Sequence, residues 1–396
     1  MYPKVVLDPK KAANVIYRHP WIFSGAIISM DENVTHGSLI QVEDPTGRIL
    51  GTGTFSATSS IAVRVLSFTG QEINKAWLVE RLQEADEKRQ LLGFGKGTDT
   101  TGYRVAFGES DCLPGLIVDR FDDVLVFQIA TAGMDGLRKE IVEALEEVFD
   151  PRSIYERSDM PSRHEEKLED EVGLRFGEAV TEVNFKENGL KFVADVATGQ
   201  KTGFFFDQRD TRTVIQILAD GRKVLNIFSY TGAASVAAIM GGALSVHNID
   251  GSNEALEMIE KNAKLNKIVA TKMTTENADA FAWLGEHKNA DYDMVIVDPP
   301  ALIKSRRDIE EGKKAYHFVN RAAMRLVKDG GIFVTSSCSH YFNEEDFAFT
   351  LRRASVQNEI NLSILQTIRQ APDHPLSVYF PEAAYLKTFV CHVEKK

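Results

Sequence analysis

Two residues in the last third of the sequence carry reactive groups in settings that invite chemistry. Asp298 closes the apolar run Val295-Ile296-Val297-Asp298-Pro299-Pro300, and Cys338 closes Thr335-Ser336-Ser337-Cys338-Ser339. The paired prolines fix a stiff turn that holds Asp298 where the run ends. If the two runs are neighbouring strands, roughly 4.8 Å apart, acid and thiol face one planar substrate. That pairing suits attack on a pyrimidine. Cytosine carbon 5 is a poor nucleophile until a thiol adds to carbon 6, and an acid at the N3 edge favours the adduct. The competing readings are structural: a free cysteine is commonly a small buried hydrophobe, and Asp298 can serve as a cap of the proline turn. Exocyclic amines are methylated without an adduct, usually with an aromatic after the D/N-P-P. Here Ala301 and Leu302 follow.

A cofactor must supply the transferred group, and the preceding strand ends indicate which. Asn226-Ile227-Phe228-Ser229-Tyr230-Thr231-Gly232 follows the start of one β-like run, with one glycine and small neighbours that let the backbone approach a ligand. Asp250 closes the next run and suits a ribose diol, whose hydroxyl protons it can accept. Asp279 follows the third strand position, within reach of an adenine amine. The loop lacks the G-x-G-x-x-G that cradles a pyrophosphate. S-adenosylmethionine has no phosphate to cradle, so the expected cofactor is S-adenosylmethionine and not a dinucleotide.

These residues need a scaffold, and the pattern after about residue 195 provides one. Strand-like and helix-like segments alternate, the sign of a parallel sheet covered on both faces. Strands are expected at Val224 to Phe228, Leu244 to Ile249, Asp293 to Val297 and Ile332 to Ser336. Helices are expected from Gly232 to Met240, after the N-cap Ser252, and through Tyr316, Val319, Ala323 and Leu326, the last stopped by Lys328-Asp329-Gly330-Gly331. In such sheets ligands bind beyond the carboxyl ends of the strands. Upstream, short β-like runs such as Ser38 to Val42 and Ile61 to Val65 suggest a small β-rich domain. A helical pattern over about 73–94, strands from Val105 to Ile129 and an amphipathic helix from Leu137 to Val148 suggest an α+β module. The polar run Arg163 to Glu171 reads as a surface excursion. The expected architecture is α/β: a doubly wound Rossmann-like domain at 191–396, a small β-rich domain at 1–72 and a connecting α+β module at 73–190.

Composition narrows the partners. The net charge of −11 argues against coating nucleic acid, so any RNA contact must be local. Candidate patches are Lys4, Lys10, Lys11 and Arg18, and Lys304, Arg306, Arg307, Lys313 and Lys314, each of which also reads as solvated surface charge. No apolar stretch approaches the roughly 20 residues of a membrane span. Three scattered cysteines suit a reducing, cytoplasmic setting and neither a disulfide framework nor a metal site.

At these residues the chain resembles the bacterial ribosomal RNA large-subunit cytosine-5 methyltransferase family along nearly its whole length. His19-Pro20-Trp21-Ile22-Phe23-Ser24-Gly25 is similar to the opening of that family's PUA domain, a small RNA-associated β-barrel. Glu109-Ser110-Asp111-Cys112-Leu113-Pro114-Gly115 through Arg120 resembles a signature of its middle module, with Cys112 where glycine is usual. Lys201 to Arg209 resembles the entry to its catalytic domain, which brings Gln208 and Arg209 to the border of the cofactor pocket. The resemblance implies Cys338 as nucleophile and Asp298 as its partner. It implies a cofactor pocket of Gln208, Arg209, Asn226, Phe228 to Gly232, Asp250, Asp279, Asp298 and Pro299, and a 23S ribosomal RNA or large-subunit intermediate as substrate. It also places Asp373-His374-Pro375 among the family's cofactor and catalytic positions. Ser336 stands where a bulkier residue is common. A guanine-directed relative of the same architecture and a non-catalytic assembly factor are the alternatives, and a homodimer is left open.

Overall fold

The computed structural model describes residues 2–289 and 291–396. By contact density the chain forms two compact units. One comprises residues 2–189, 194–206 and 372–383, and the other 190–193, 207–371 and 384–396.

In the second unit the sheet strands are, in chain order, β1 (Lys223–Ile227), β2 (Ser245–Asp250), β3 (Met273–Asn277), β4 (Tyr292–Val297), β5 (Val327–Ser337), β6 (Ile360–Ile368) and β7 (Lys387–Lys395). They lie side by side in the order β3-β2-β1-β4-β5-β7-β6. The first five are parallel, and β7 enters antiparallel to both β5 and β6. The helices are α1 (Arg209–Leu218), α2 (Ala233–Met240), α3 (Asn253–Leu265), α4 (Ala280–Glu286), α5 (Ile309–Arg325) and α6 (Glu344–Gln357). This is the doubly wound α/β architecture.

Residue pattern explains why the sheet is sandwiched. Successive side chains of a strand point to opposite faces. In β4, Val295 and Val297 join Phe333 of β5 in a core with α4, α5 and α6. Met294 and Ile296 join Ile332 and Val334 in a second core with Ile215 of α1 and Ala238 and Ile239 of α2. Both faces are dry, so these strands read as unbroken apolar runs, as parallel sheets require. Helix starts are capped as the side chains dictate: Ser252 accepts from the Ala255 amide, Asp279 from Ala282, and Asn343 from Asp346.

Some boundaries differ from the sequence reading for local reasons. β1 stops at Ile227 because Phe228 adopts a left-handed φ of 61°. Lys328-Asp329-Gly330 does not sit outside the strand; β5 already begins at Val327 and carries these exposed residues at its start.

Among the described residues two sheets lie wholly within the first unit. One has six strands, ordered Trp21–Phe23, Ile61–Ser67, Ile49–Phe55, Leu39–Glu43, Lys4–Leu7 and Ile27–Met30. The other has five, ordered Glu171–Gly177, Ser153–Ser158, Val124–Ile129, Leu116–Phe121 and Gly102–Phe107. The helices Lys75–Gln90 and Arg138–Phe149 bury Leu78, Leu82, Ile141 and Leu145 in the core of this second sheet. The Arg163 to Glu171 run lies mostly at the surface, as expected, but Arg163 and Glu166 are buried. Arg163 is 1% exposed and donates to the Ile129 and Glu169 carbonyls and to Asp135, because a buried guanidinium must find acceptors for its five donors.

Buried ion pairs brace this unit. Arg89 clasps Asp111 through two bonds of 2.9 and 2.8 Å, and Arg104 clasps Asp119 through two of 2.8 Å. Asp119 also accepts from the Thr202 hydroxyl at 2.6 Å. The segment around Asp373 closes on the same framework: its carboxylate accepts the Arg104 amide and its carbonyl accepts Arg89. Burial works against the Asp111 charge, but Arg89 and Lys88 hold its carboxyl below the ordinary value. Cys112 follows in the left-handed region, φ 60°, where a β-carbon is strained and glycine is not.

Two outcomes are expected. Asp111→Ala strands the Arg89 charge and should cost about 3–5 kcal/mol in denaturant unfolding. A depressed native carboxyl stabilises above its unfolded pKa and loses that contribution as pH falls through the native pKa. Stability of the wild type should therefore fall more steeply in acid than that of Asp111→Asn. Cys112→Gly should raise stability by about 0.5–1 kcal/mol, since the relief of left-handed strain exceeds the added chain entropy. An unchanged midpoint would mean that the turn already accommodates a side chain.

Candidate functional site

β1 is the centre of the site, with β2 and β4 parallel on either side, so the loops after all three open at the same sheet edge. The loop after β1 is wound tightly. Phe228, Tyr230 and Gly232 all have positive φ, of 61°, 45° and 73°. Two of these are not glycine, so the conformation is held by its surroundings. The Tyr230 amide donates to Asp250 Oδ2 at 2.7 Å, the Ser229 amide to the Ile249 carbonyl at 3.1 Å, and Asn262 of α3 donates to the Thr231 carbonyl at 2.9 Å. At Gly232 a β-carbon would fall 2.8 Å from Ile259, so a side chain there would drive α3 away. Asn226 lies one residue before the end of β1. Its amide donates to Ser235 of α2 at 2.8 Å, within the buried layer and not in the loop.

Asp250 ends β2. Besides Tyr230 it accepts the Ser252 amide at 3.0 Å, one bond on each oxygen, which leaves each oxygen a further acceptor position. Asp279 is exposed at the start of α4 and uses Oδ1 for the cap, at 2.8 Å from the Ala282 amide. One residue beyond Ala280, Phe281 sets its ring edge-on to Phe228, 5.9 Å between centroids. Phe281 was not among the residues expected from sequence; helix periodicity alone gave no reason to separate it from the core.

Gln208, just before α1, donates from Nε2 to Asp298 Oδ2 at 2.9 Å, while its own Oε1 is buried and makes no hydrogen bond among the described residues. The same holds for Thr231 Oγ1 in the loop after β1. These two buried polar atoms, and the Asp250 carboxylate with its further acceptor positions, fit a ligand with hydroxyl and ammonium donors, as S-adenosylmethionine has. Arg209 is 2% exposed in the first turn of α1.

β4 and β5 are adjacent and in parallel register, Val297 opposite Thr335. Asp298 and Cys338 thus follow neighbouring strands. Pro299 is buried and Pro300 exposed, and past them the Ile303 amide donates to Ser339 Oγ at 3.1 Å, tying the two loops together. Hydroxyls surround Cys338 in sequence and in space. Ser337 donates to the Tyr316 hydroxyl at 2.9 Å, and that hydroxyl shares a 2.9 Å bond with Ser339 Oγ. Burial pushes the Tyr316 phenol above its usual range, so it stays protonated as a donor. Ser336, where a larger residue is common in the resembling family, turns to the other side and bonds Thr388 of β7 at 2.8 Å.

Cys338 is partly accessible, whereas Cys391 is fully buried on β7, where desolvation pushes its thiol up to about 12. Burial also raises the Cys112 thiol. Asp373 and His374 belong to the first unit, His374 Nδ1 being 3.1 Å from Asp373 Oδ1. Tyr316, Ser339 and Lys387 join the site without having been singled out from sequence. Ser339 is visible as the flank of Cys338, but Tyr316 and Lys387 come from elements distant along the chain.

Known proteins give the same arrangement a family. The S-adenosylmethionine-dependent methyltransferase family matches residues 159–377, and a PUA-like domain matches residues 5–68. The chain is 35% identical over 397 residues to ribosomal RNA large subunit methyltransferase I of Shigella boydii serotype 4, covering 99% of this chain and all of that one. The same protein from Escherichia coli O157:H7 matches at the same identity and coverage. Among solved structures, a chain from Streptococcus mutans superposes with a TM-score of 0.83 at 22% identity, covering 98% of this chain and 99% of that one. Another, crystallised with SAH, superposes at 0.84, again at 22% identity and the same coverage. These two share the fold. Among the described residues no helix is long and apolar enough to cross a membrane. With a seven-stranded sheet whose β1 and β2 loops suit an adenosyl ligand, a PUA-like N-terminal region and full-length relatives at 35% identity, the chain belongs to the ribosomal RNA large subunit methyltransferase I family of S-adenosylmethionine-dependent methyltransferases.

Proposed function

We propose that this enzyme methylates carbon 5 of a cytosine in large-subunit ribosomal RNA, either 23S RNA itself or an assembly intermediate, through a covalent Cys338 adduct. The observation that carries this reading is the adjacency of β4 and β5, which sets an acid and an accessible thiol at neighbouring strand ends next to the β1 loop. A guanine-directed enzyme has no use for the thiol.

Bound S-adenosylmethionine supplies an electrophilic methyl group on a sulfonium. The chain's own residues do the rest. Asp250 would accept the ribose hydroxyls, the turn Phe228 to Gly232 would let the backbone approach the cofactor, Asp279 would serve the adenine end, and Gln208 and Thr231 would offer their unpaired oxygens. Asp298, with Pro299 stiffening its turn and Gln208 holding one oxygen at 2.9 Å, orients the cytosine through its N3 edge. Cys338 adds to carbon 6. The RNA backbone is met by local positive charge. Lys304, Arg306, Arg307 and Lys314, shortly after the proline pair, are exposed, while Lys313 is already paired with Asp346 at 3.0 Å. In the first unit Lys4 is paired with Glu43 at 2.9 Å, which leaves Lys10 and Arg18 as the better phosphate contacts there.

Asp250→Ala should weaken S-adenosylmethionine binding by roughly 10²–10⁴, because it removes two charge-assisted bonds to the ribose hydroxyls of about 1.5–3 kcal/mol each. Titration calorimetry reads this directly, and an unchanged Kd would move the adenosyl site elsewhere. RNA carrying 5-fluorocytosine lacks the proton whose loss frees the enzyme, so the wild type should stall as a methylated adduct that survives denaturing electrophoresis. Cys338→Ala should form no adduct and no product, with Cys112→Ala and Cys391→Ala behaving as wild type. Asp298→Asn should lower turnover by roughly 10²–10⁴, the usual contribution of a positioned acid or base. Methylation by Cys338→Ala at the wild-type rate would sink the carbon-5 reading in favour of a guanine target.

A further inference from the structure

A nucleophilic thiol must be ionised at neutral pH, yet no role described so far ionises Cys338. A free cysteine has a pKa of about 8.5, and a neighbouring cation is what usually lowers it. A cation that meets the residues flanking Cys338 arrives from the far end of the chain. Lys387 begins β7, and the antiparallel register sets it opposite Ser337. Its Nζ then reaches past to the Ser339 carbonyl and donates to it at 2.7 Å. The residues on both sides of Cys338 are therefore the ones that hold Lys387, by strand pairing on one side and by its ammonium on the other. The side chain is buried, 8% exposed, and no carboxylate lies within ion-pair distance of it among the described residues. Glu344 at the start of α6 interacts with it only at longer range, and is itself bonded to Arg369 at 3.2 Å. The other titratable group nearby, Tyr316, meets Ser339 from α5. A buried ammonium with one carbonyl and no acid is costly unless an anion stands beside it.

We propose that Lys387 is the charge partner of Cys338, a positioning residue that stabilises the sulfur as thiolate before attack and again on departure. The inference rests on the cytosine reading above. The thiol proton leaves Sγ to water while the Nζ ammonium stands beside the sulfur, and a sulfur lone pair forms the Sγ–C6 bond as the C5–C6 π electrons move toward carbon 5. Those electrons take the methyl group, whose bond to the sulfonium breaks. The carbon-5 proton then leaves to water, the C5–C6 double bond re-forms, and Sγ departs with the electrons of the C6 bond, again as thiolate beside the ammonium. Burial pushes Lys387 down to about 8, against Cys338 and Glu344, which hold it up.

The test is the pH profile of Cys338 alkylation by iodoacetamide, followed on the Cys338 peptide by mass spectrometry in the full-length protein. In the wild type the half-maximal rate should fall at least about one pH unit below the free-cysteine value. Lys387→Met should return it to that value or above, a drop of about tenfold in rate at neutral pH. Lys387→Arg, which keeps the charge, should retain the low profile. Calorimetry with S-adenosylmethionine verifies that each variant is folded. Identical profiles for wild type and Lys387→Met, or an arginine variant that behaves like methionine, would overturn the pairing. If both variants fail to fold, the wild-type profile decides, since a half-maximal rate at or above the free-cysteine value leaves Lys387 no such role. The adduct on 5-fluorocytosine RNA reports separately: its absence in the wild type removes the cytosine reading, while the alkylation profile still answers for the pair.

Discussion

The register between β4, β5 and β7 is the constraint from which the placement of Asp298, Cys338 and Lys387 follows. Val297 lies opposite Thr335, and Ser337 opposite Lys387. Each backbone hydrogen bond in these ladders fixes one residue's height relative to its neighbour, and a slip by one residue would turn every side chain to the other face. Asp298, Cys338 and Lys387 come from segments separated by about 40 and 50 residues, yet three adjacent strands bring them to one edge. The buried alternation of Val295, Val297 and Phe333 against Met294, Ile296, Ile332 and Val334 holds that register, because both faces of the sheet are packed.

The cofactor side depends on strain held in place by hydrogen bonds. Phe228 and Tyr230 adopt left-handed backbone angles that cost free energy, and the Asp250 carboxylate, through the Tyr230 amide, offsets that cost. Asp250 thus both shapes the loop and offers acceptors to what the loop surrounds. The Tyr316, Ser337 and Ser339 hydroxyls play a similar part around Cys338. Each satisfies another, so a polar pocket persists inside an otherwise apolar layer without orphaned donors.

The first unit is braced differently. Arg89 with Asp111 and Arg104 with Asp119 are buried pairs, geometrically specific, and they recruit Asp373 from late in the chain. Such pairs contribute specificity of arrangement more than net stability, since desolvation offsets much of their attraction. Asp111 and Asp119 of the Glu109 to Arg120 signature are thereby accounted for as structure, and the glycine preference at position 112 as a left-handed turn.

Much of this was legible from residue order alone. Period and punctuation located most of the parallel strands, the cap Ser252 named its helix start, and strand-terminal residues lie at the sheet edge by the logic of the fold, so the positions of Asp250, Asp298 and Cys338 at strand ends could be read without coordinates. What local pattern could not supply is anything decided by long-range pairing. Arg163 lies in a polar run that looks solvent-facing, yet it is buried because acceptors from Ile129 and Asp135 converge on it. Asn226 sits next to the loop in sequence, but strand alternation turns its amide inward to Ser235. Asp373 joins the first unit because Arg104 is there to meet it. Lys387 is an unremarked lysine until β7 inserts antiparallel beside β5 and sets it against the residues that flank Cys338. Composition and periodicity are properties of neighbours along the chain, so they determine elements and their ends; which distant charges share a low-dielectric pocket is fixed only when the sheet closes its order.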